Sequence, residues 1–473
     1  MTVPLMVELA RLASVHPKRP ALTCGEQSLT FDELEKNTNR LARALQARGV
    51  VADDFVTIAL PNSVEFYEAV IASWKCGATP QPMSTRMPDA ERQAVLELVK
   101  PKIVLTPESI SRADLSKFAD DALPTVTSTS CKAPLSGGST GRPKLIVSLQ
   151  PATTEFLGLA EAVRVPQDGV HLVTGPLHHN GPLLFSLIAL LRGNHLVVMP
   201  KFDATQALEL IARHRVDWMY AVPTMMQRIW RLPEATRNTH DLSSLRTILH
   251  LAAPCPAWLK LEWINWLGPE RVWELYAATE VQAVTVIGGA DWLTHRGSVG
   301  RPVVGELEIL SLDGKPLPRG EVGEVWMRRG PEQGGPYRYV GATARTRAGN
   351  WESVGDMGHL DAEGYLYLAD RQTDMILVGG SNVYPAEIEA ALEAHPRVSS
   401  ACVIGLPDED LGSVPHAIVQ VNGEVADAAL LAHCKERLST YKLPRTFERV
   451  QQPLRDEAGK VRRSALRAER IAK

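Results

Sequence analysis

The chain has 473 residues, enough for about three domain-sized units and a large buried core. Hydrophobic residues make up 45% and charged residues 22%, ordinary usage for a globular protein, which excludes a disordered, collagen-like or coiled-coil chain. The 51 Lys and Arg against 54 Asp and Glu leave a net charge of −3, a poor balance for a dedicated nucleic-acid binder, so no nucleic-acid partner is expected.

The first twenty residues lack the basic n-region, apolar stretch and cleavage site of a signal peptide. The longest apolar run, residues 182–191, is too short to span a bilayer. Six cysteines (Cys24, Cys76, Cys131, Cys255, Cys402, Cys434) lie far apart, with no Cys-x-x-Cys pair and no His-Glu-x-x-His. Scattered thiols in a reducing compartment are expected rather than a disulfide framework or a zinc site. A cytoplasmic location without a membrane span follows as the expectation.

In chain order, residues 55–60 form a short apolar run that reads as a strand. Asn62 or Ser63 can cap the helix after it, which carries Val64, Tyr67, Val70, Ile71 and Trp74 at helical spacing and stops at Gly77. A second strand is predicted over 193–199, then a helix starting at Asp203 with Leu208, Ile211 and Ala212 on one face. Residues 218–222 read as the next strand. This alternation predicts an α/β fold with layered, mostly parallel sheets. Near Gly305 the texture changes. Alternating runs such as Glu306-Leu307-Glu308-Ile309 and Glu324-Val325-Trp326-Met327 predict short antiparallel strands. The polar stretch Asp370-Arg371-Gln372-Thr373-Asp374 sets the expected boundary between a large domain, 1–370, and a small α+β domain, 371–473. Within the small domain, residues 371–430 carry a net −7 and residues 431–473 a net +7.

The sharpest chemical signal is the run Ser136, Gly137, Gly138, Ser139, Thr140, Gly141, Arg142, Pro143, Lys144. Glycines let backbone N–H groups approach an anion, hydroxyls add donors and the lysine adds charge, the composition of a phosphate cradle. A Walker A loop it is not, since Pro143 precedes the lysine and Leu145 follows it. Further along come Tyr276-Ala277-Ala278-Thr279-Glu280, Ser353-Val354-Gly355-Asp356, Asp370-Arg371, a segment from Gly379-Gly380 to Glu389, and Gly459-Lys460.

In this order the motifs resemble the adenylate-forming superfamily of acyl-CoA synthetases, carrier-protein adenylation domains and beetle luciferases, from about Thr30 to Arg463. The resemblance implies a large adenylation domain with a small distorted β-barrel region, and a small mobile C-terminal domain. It implies that the loop from Ser136 to Lys144 takes the β- and γ-phosphates of ATP. Tyr276 would stack on adenine, with Ala252, Ala253 and Pro254 lining that pocket. Thr279 and Glu280 would hold the α-phosphate and Mg²⁺. Asp356 and Arg371 would bind the ribose, Asp370 would be the hinge, and Lys460 would reach the reacting carboxylate and α-phosphate. In the second half-reaction the small domain rotates, withdrawing Lys460 and bringing Gly379 and Gly380 beside the CoA thiol. Pro385 at a helix start, with Ile388, Ala391 and Leu392 on one face, would anchor that moving segment.

Several positions depart from the commonest pattern: Ala277, Leu145, Val354, and Leu454-Arg455-Asp456 before Lys460. The acyl pocket is expected near His179, Leu184, Met225 and Trp230. No aspartate lies between Pro176 and Ala189, which disfavours an amino-acid substrate. The Gly-Gly-Ser-Thr-Gly loop and His178-His179-Asn180-Gly181 resemble those of ligases for bile acids and other bulky ring-containing acids. The implied activity is an ATP- and Mg²⁺-dependent ligase joining a hydrophobic carboxylic acid to CoA. Transfer to a carrier-protein phosphopantetheine is the alternative, and a nucleotide- or acyl-binding homologue without turnover a third. A homodimer stays open.

Overall fold

The computed structural model describes residues 2–109, 111–136, 143–457 and 459–471. The helical patterns begin where the caps predict. Thr30 and Glu33 form a reciprocal capping box at the head of the Phe31–Ala47 helix. Ser63 accepts from the Phe66 N–H to start Val64–Lys75, and Asp203 accepts from the Gln206 N–H to start Ala204–His214. Gly77 follows the former with φ +71°, where a Cβ would come within 2.6 Å of Val126.

The main sheet has a parallel half, in spatial order Val272–Ala277, Thr247–His250, Trp218–Ala221, Val170–Val173, His195–Val198 and Pro20–Cys24. Both faces are covered. Along one strand Trp218 and Tyr220 enter one hydrophobic cluster, and Met219 and Ala221 enter another on the opposite face. Beyond Val272–Ala277 the same sheet turns antiparallel through Val284–Gly288, Ser298–Val304, Leu366–Arg371, Asp356–Leu360 and Gly323–Arg328. The predicted pair Glu306–Leu310 and Gly323–Arg328 forms in antiparallel register, Glu306 opposite Arg328. This stretch takes the place of the expected barrel region, as an open antiparallel extension of the sheet. Among the described residues Glu306–Leu310 pairs with one strand only.

Two smaller sheets flank it. Thr79–Pro82, Phe55–Ile58 and Ile103–Leu105 are parallel. Tyr337–Val340, Lys144–Ser148 and Leu135–Ser136 are antiparallel, with Ser136 opposite Lys144. That pairing pins together the two ends of the predicted phosphate loop. The predicted loop residues Gly137, Gly138, Ser139, Thr140 and Gly141 lie outside the described residues.

The small α+β unit has its own sheet of Ser381–Val383, Ile376–Val378, Gly412–Val421, Val398–Asp408 and Thr446–Arg449. Pro385 takes the first position of the Pro385–Glu393 helix, whose Ile388, Ala391 and Leu392 are buried against that sheet. Arg463 and Arg455 pair with Glu389, and Arg455 also with Glu393, on the same helix.

Under the large sheet, Lys260 of the Ala257–Leu267 helix is fully buried and donates to Glu274 at 2.6 Å. His250 lies 3.9 Å from the same carboxylate, and the Trp292 ring sits 5.0 Å from the ammonium. The pair ties the helix to Val272–Ala277, the strand that carries Tyr276. Lys260→Ala leaves Glu274 buried without its cation and is expected to lower unfolding stability by about 3–5 kcal/mol. Lys260→Met combined with Glu274→Leu should recover most of that loss, read from urea unfolding followed by tryptophan fluorescence. Equal losses in the single and double variants would contradict this account.

Candidate active site

The parallel strands deliver two candidate segments to one edge. Thr247–His250 and Val272–Ala277 are neighbours, with His250 opposite Glu274. The loop with Ala252, Ala253 and Pro254 and the segment Tyr276 to Glu280 therefore leave the sheet side by side, at the carboxyl ends of the strands. Ala252 has φ +76° and Val281, just after Glu280, has φ +56°. Two non-glycine residues in the left-handed region thus flank this cleft, and a β-branched one there is an outlier.

Asp356 and Arg371 are register partners on adjacent antiparallel strands. Asp356 accepts from the Tyr276 hydroxyl at 2.6 Å and from Arg371 Nε at 3.2 Å. Burial, followed by the neighbouring Asp356 charge, holds the Tyr276 phenol well above its usual range. The same carboxylate raises the Arg371 guanidinium.

Glu280 is 6% exposed and lies at a junction of two sheets. It accepts from the Tyr339 hydroxyl and pairs with Lys144 Nζ at 3.4 Å. Lys144 also donates to the Tyr339 hydroxyl at 3.0 Å and stands 4.1 Å from that ring's centre. Tyr339 was not foreseen from sequence. Its only local signal is the alternation Tyr-Arg-Tyr-Val of a strand, and Lys144 is 195 residues away. Thr279 is half-buried beside Glu280.

The small unit closes on this cleft. Gly459 packs against Thr224, where a Cβ would come within 3.3 Å of the Thr224 hydroxyl, and Glu457 pairs with Arg86. Lys460 is held in a turn, its N–H donating to Asp456 at 2.9 Å while the Asp456 N–H donates to the Lys460 carbonyl. The side chain is open to the cleft's solvent yet ringed by protein groups. Crowding and Arg371 lower its pKa, and Asp456 and Glu280 oppose them. Lys460, Arg371 and Glu280, far apart in the chain, share one electrostatic environment.

His178 and His179 form a tilted pair with ring centres 4.4 Å apart. Burial lowers His178 to about 4 and His179 to about 3, so both rings are neutral at neutral pH. The Lys460 charge also lowers His179. Leu184 and Met225 belong to one cluster with Tyr220, whose ring and hydroxyl would lie 3.0–3.1 Å from a Cβ on Gly181. Trp230 does not join them. Its ring meets Trp266 edge-on at 6.0 Å and carries the Arg237 guanidinium at 3.7 Å, in the cluster on the opposite face of the sheet. Met225 and Trp230 lie at i and i+5 of the short Pro223–Trp230 helix, so the helical period turns them to different faces.

Gly379 and Gly380 form the exposed turn of the Ile376–Val378/Ser381–Val383 hairpin, with φ +52° and +83°. The departures from pattern have packing reasons. Leu145 is fully buried against Ala133, Val95 and Val147, Val354 packs in the cluster that includes Tyr276 and Leu368, and Ala277 packs on the large core. Among the described residues no group of three or more His, Cys, Asp or Glu could hold a metal by itself. A single buried carboxylate such as Glu280 is of the kind that Mg²⁺ takes when substrate phosphates and water complete its shell.

The family model described as AMP-binding enzyme matches residues 9–135 and 131–335, and its C-terminal domain model matches 387–460. The chain belongs to the AMP-binding enzyme family. Within that family it falls in the acyl-CoA ligase branch. It is 31% identical to a feruloyl-CoA synthase of Amycolatopsis sp, over 97% of each chain. It is also 31% identical to a 2-succinylbenzoate–CoA ligase of Bacillus velezensis, over 97% of this chain and 96% of that one. Its fold superposes on o-succinylbenzoate CoA synthetase from Bacillus subtilis in complex with the acyl-adenylate OSB-AMP, with a TM-score of 0.83, 28% identity and 98% of each chain covered. The same Bacillus subtilis enzyme with ATP and magnesium ion matches with a TM-score of 0.82 and 29% identity, over 98% of this chain and 100% of that one. Like these ligases, the chain works with ATP, Mg²⁺ and CoA. No helix among the described residues is long and apolar enough to cross a membrane.

In this ligase the strand Leu366–Arg371 leads from the large sheet into the small unit, and Asp370 sits next to its end. Its carboxylate accepts from the Arg371 N–H at 2.8 Å and from the Ala386 N–H at 2.9 Å, at the head of the Pro385–Glu393 helix. Burial raises its pKa from 3.8 to about 6, against the pull of Arg463 and the two N–H donors. The folded state therefore holds this proton more tightly than the unfolded chain. The resulting contribution favours folding below about pH 4 and is lost as pH rises through 6. Asp370→Asn removes it. The melting temperature of the variant relative to the natural protein should climb between pH 4 and 6.5 and then level off. A difference that stays flat across that range would contradict the burial.

Proposed function

We propose that this ligase activates a ring-containing hydrophobic carboxylic acid as its acyl-AMP and passes the acyl group to CoA. The observation that carries the reading is the approach of Lys460, from the small unit, to a cleft already holding Glu280, Arg371 and neutral His179. A carboxylate attacking the α-phosphorus of ATP is one anion approaching another, so the barrier is largely electrostatic. Lys460 is placed to balance the charge that develops on the attacked phosphoryl oxygens, and a preorganised donor of this kind is worth roughly 10²–10³ in rate. Thr279 donates to the α-phosphate in this scheme. Glu280 and bound phosphates hold Mg²⁺, which screens the polyphosphate, and Lys144 turns from Glu280 to the β- and γ-phosphates as the nucleotide enters. Ser136, Gly137, Gly138, Ser139, Thr140 and Gly141 complete the loop around them. Tyr276, Ala253 and Pro254 take the adenine, and Asp356 and Arg371 the ribose. Asp370 is the pivot at the 370/371 boundary about which Lys460 leaves and Gly379 and Gly380 come to the CoA thiol. The thiolate attacks the acyl carbon, and AMP leaves with the bonding electrons.

Two features support an aromatic or polycyclic acid. The relatives named above act on ferulate and 2-succinylbenzoate, both ring-bearing acids. Neutral His179, Leu184, Met225 and the Tyr220 ring supply an apolar wall with a few polar atoms, the composition of a ligand pocket. An apolar wall discriminates by only about 1–3 kcal/mol per methylene, so neighbouring acids should be accepted as well.

The test is product analysis by mass spectrometry with ATP, Mg²⁺, CoA and a panel of ferulate, 2-succinylbenzoate, fatty acids and polycyclic acids. Acyl-CoA and AMP are expected with ring-bearing members. Acyl-AMP without acyl-CoA would favour a carrier protein as acceptor. Lys460→Ala should slow adenylation at least 100-fold. The same variant should leave thioester formation from supplied acyl-AMP within a few-fold of normal. Equal losses in the two half-reactions would overturn the role given to Lys460.

A further inference from the structure

Lys132 lies four residues before Ser136 on the segment that leads into the phosphate loop. Its backbone is fixed on both sides, the carbonyl accepting from the Ser148 N–H at 3.0 Å and from the Ser130 hydroxyl at 3.1 Å. The residue is only 6% exposed. Its ammonium donates to the side-chain oxygen of Asn180, the first residue of the Asn180–Leu191 helix and next to His179. Among the described residues no carboxylate lies within ion-pair distance of it. Each of the other two near-fully buried lysines has such a partner, Lys75 in Glu35 at 2.7 Å and Lys260 in Glu274 at 2.6 Å. Burial accordingly lowers the Lys132 pKa, and the field of Glu280 is among the influences that resist it.

A buried cation without a counter-ion costs stability, and an arriving anion would relieve that cost. Lys144, the other lysine of this loop, already has Glu280. Lys132 lies in the same carboxylate's field, and among the described residues its ammonium donates to the Asn180 amide oxygen with no carboxylate in ion-pair reach. We propose that Lys132 is a further anion-binding residue of the reaction, whose ammonium takes a phosphoryl oxygen of the bound nucleotide and is neutralised only when the cleft is loaded. The inference rests on the ATP-dependent reading above. Asn180 then serves as a resting partner that holds the ammonium at the cleft wall between turnovers.

The phosphoryl oxygen belongs either to the β/γ end or to the α-phosphate, and two probes separate them without any knowledge of the acid. Magnesium pyrophosphate and AMP are titrated calorimetrically into the natural protein, Lys132→Met and Lys132→Gln. The expected result is at least a tenfold weaker affinity in both variants for one probe, with the other within twofold. A loss confined to pyrophosphate places Lys132 at the β/γ end, and one confined to AMP places it at the α-phosphate. The ligand-free variants should melt at or above the temperature of the natural protein, because an unbalanced buried charge has been removed. Affinities within twofold for both probes would overturn the proposal. So would a loss in Lys132→Met that Lys132→Gln restores, since glutamine keeps a donor for Asn180 without the charge. A natural protein that binds neither probe would overturn the ATP-dependent reading as well.

Discussion

The contact among Glu280, Lys144 and Tyr339 is the constraint on which the rest of the cleft depends. Glu280 follows a strand of the large sheet, while Lys144 and Tyr339 sit on adjacent strands of a separate three-stranded sheet. A carboxylate only 6% exposed must find cations or donors nearby, and these two groups are what holds the sheets in register at the cleft. The backbone pays for the placement in strain, since Val281 is driven to φ +56° immediately after Glu280. The same junction is suited to being exchanged. In the proposed scheme an incoming polyphosphate would offer Lys144 a stronger partner and leave Glu280 with a lone pair for a hard cation.

The small unit brings Lys460 into the electrostatic reach of Arg371 and Glu280. Its turn at Asp456–Lys460 is set by Arg455, which donates to the Gly459 carbonyl and pairs with Glu389 and Glu393. Arg463 anchors the same helix through Glu389 and reaches Asp374, just past the hinge strand. The helix, the lysine turn and the hinge are thus one electrostatic body, with Asp370 clasping the helix head at its entrance. Among the described residues, the links that cross to the large unit include Arg86 to Glu457, Arg462 to Glu91, Arg231 to the Val398 carbonyl, and Gly459 against Thr224.

Membership in the AMP-binding family accounts for the shared architecture, and the packing accounts for where this chain departs from the family's commonest residues. Leu145, Val354 and Ala277 each fill apolar space behind the nucleotide-facing surface. A glycine or threonine there would leave a void or an extra hydroxyl in a core cluster. The two half-buried faces these residues line are also those that present Tyr276 and Lys144 to the cleft.

Read alone, the sequence determined the local elements and the order of the motifs. Ser63 and Asp203 cap the helices that follow them, Trp218–Ala221 is a strand, and Pro385 opens a helix with Ile388, Ala391 and Leu392 inward, because caps, periodicity and proline geometry act over a few residues. Adjacency across the chain was decided only by the tertiary structure. Tyr339 meets Lys144 through strand pairing over 195 residues, and Lys132 meets Asn180 across 48 residues. Trp230, at helical spacing from Met226, belongs to the far side of the sheet with Trp266 and Arg237. Periodicity says which face of an element is apolar, but not which distant element lies across from it. A buried charge such as Lys132 shows its partner, or its want of one, only after the chain has folded around it.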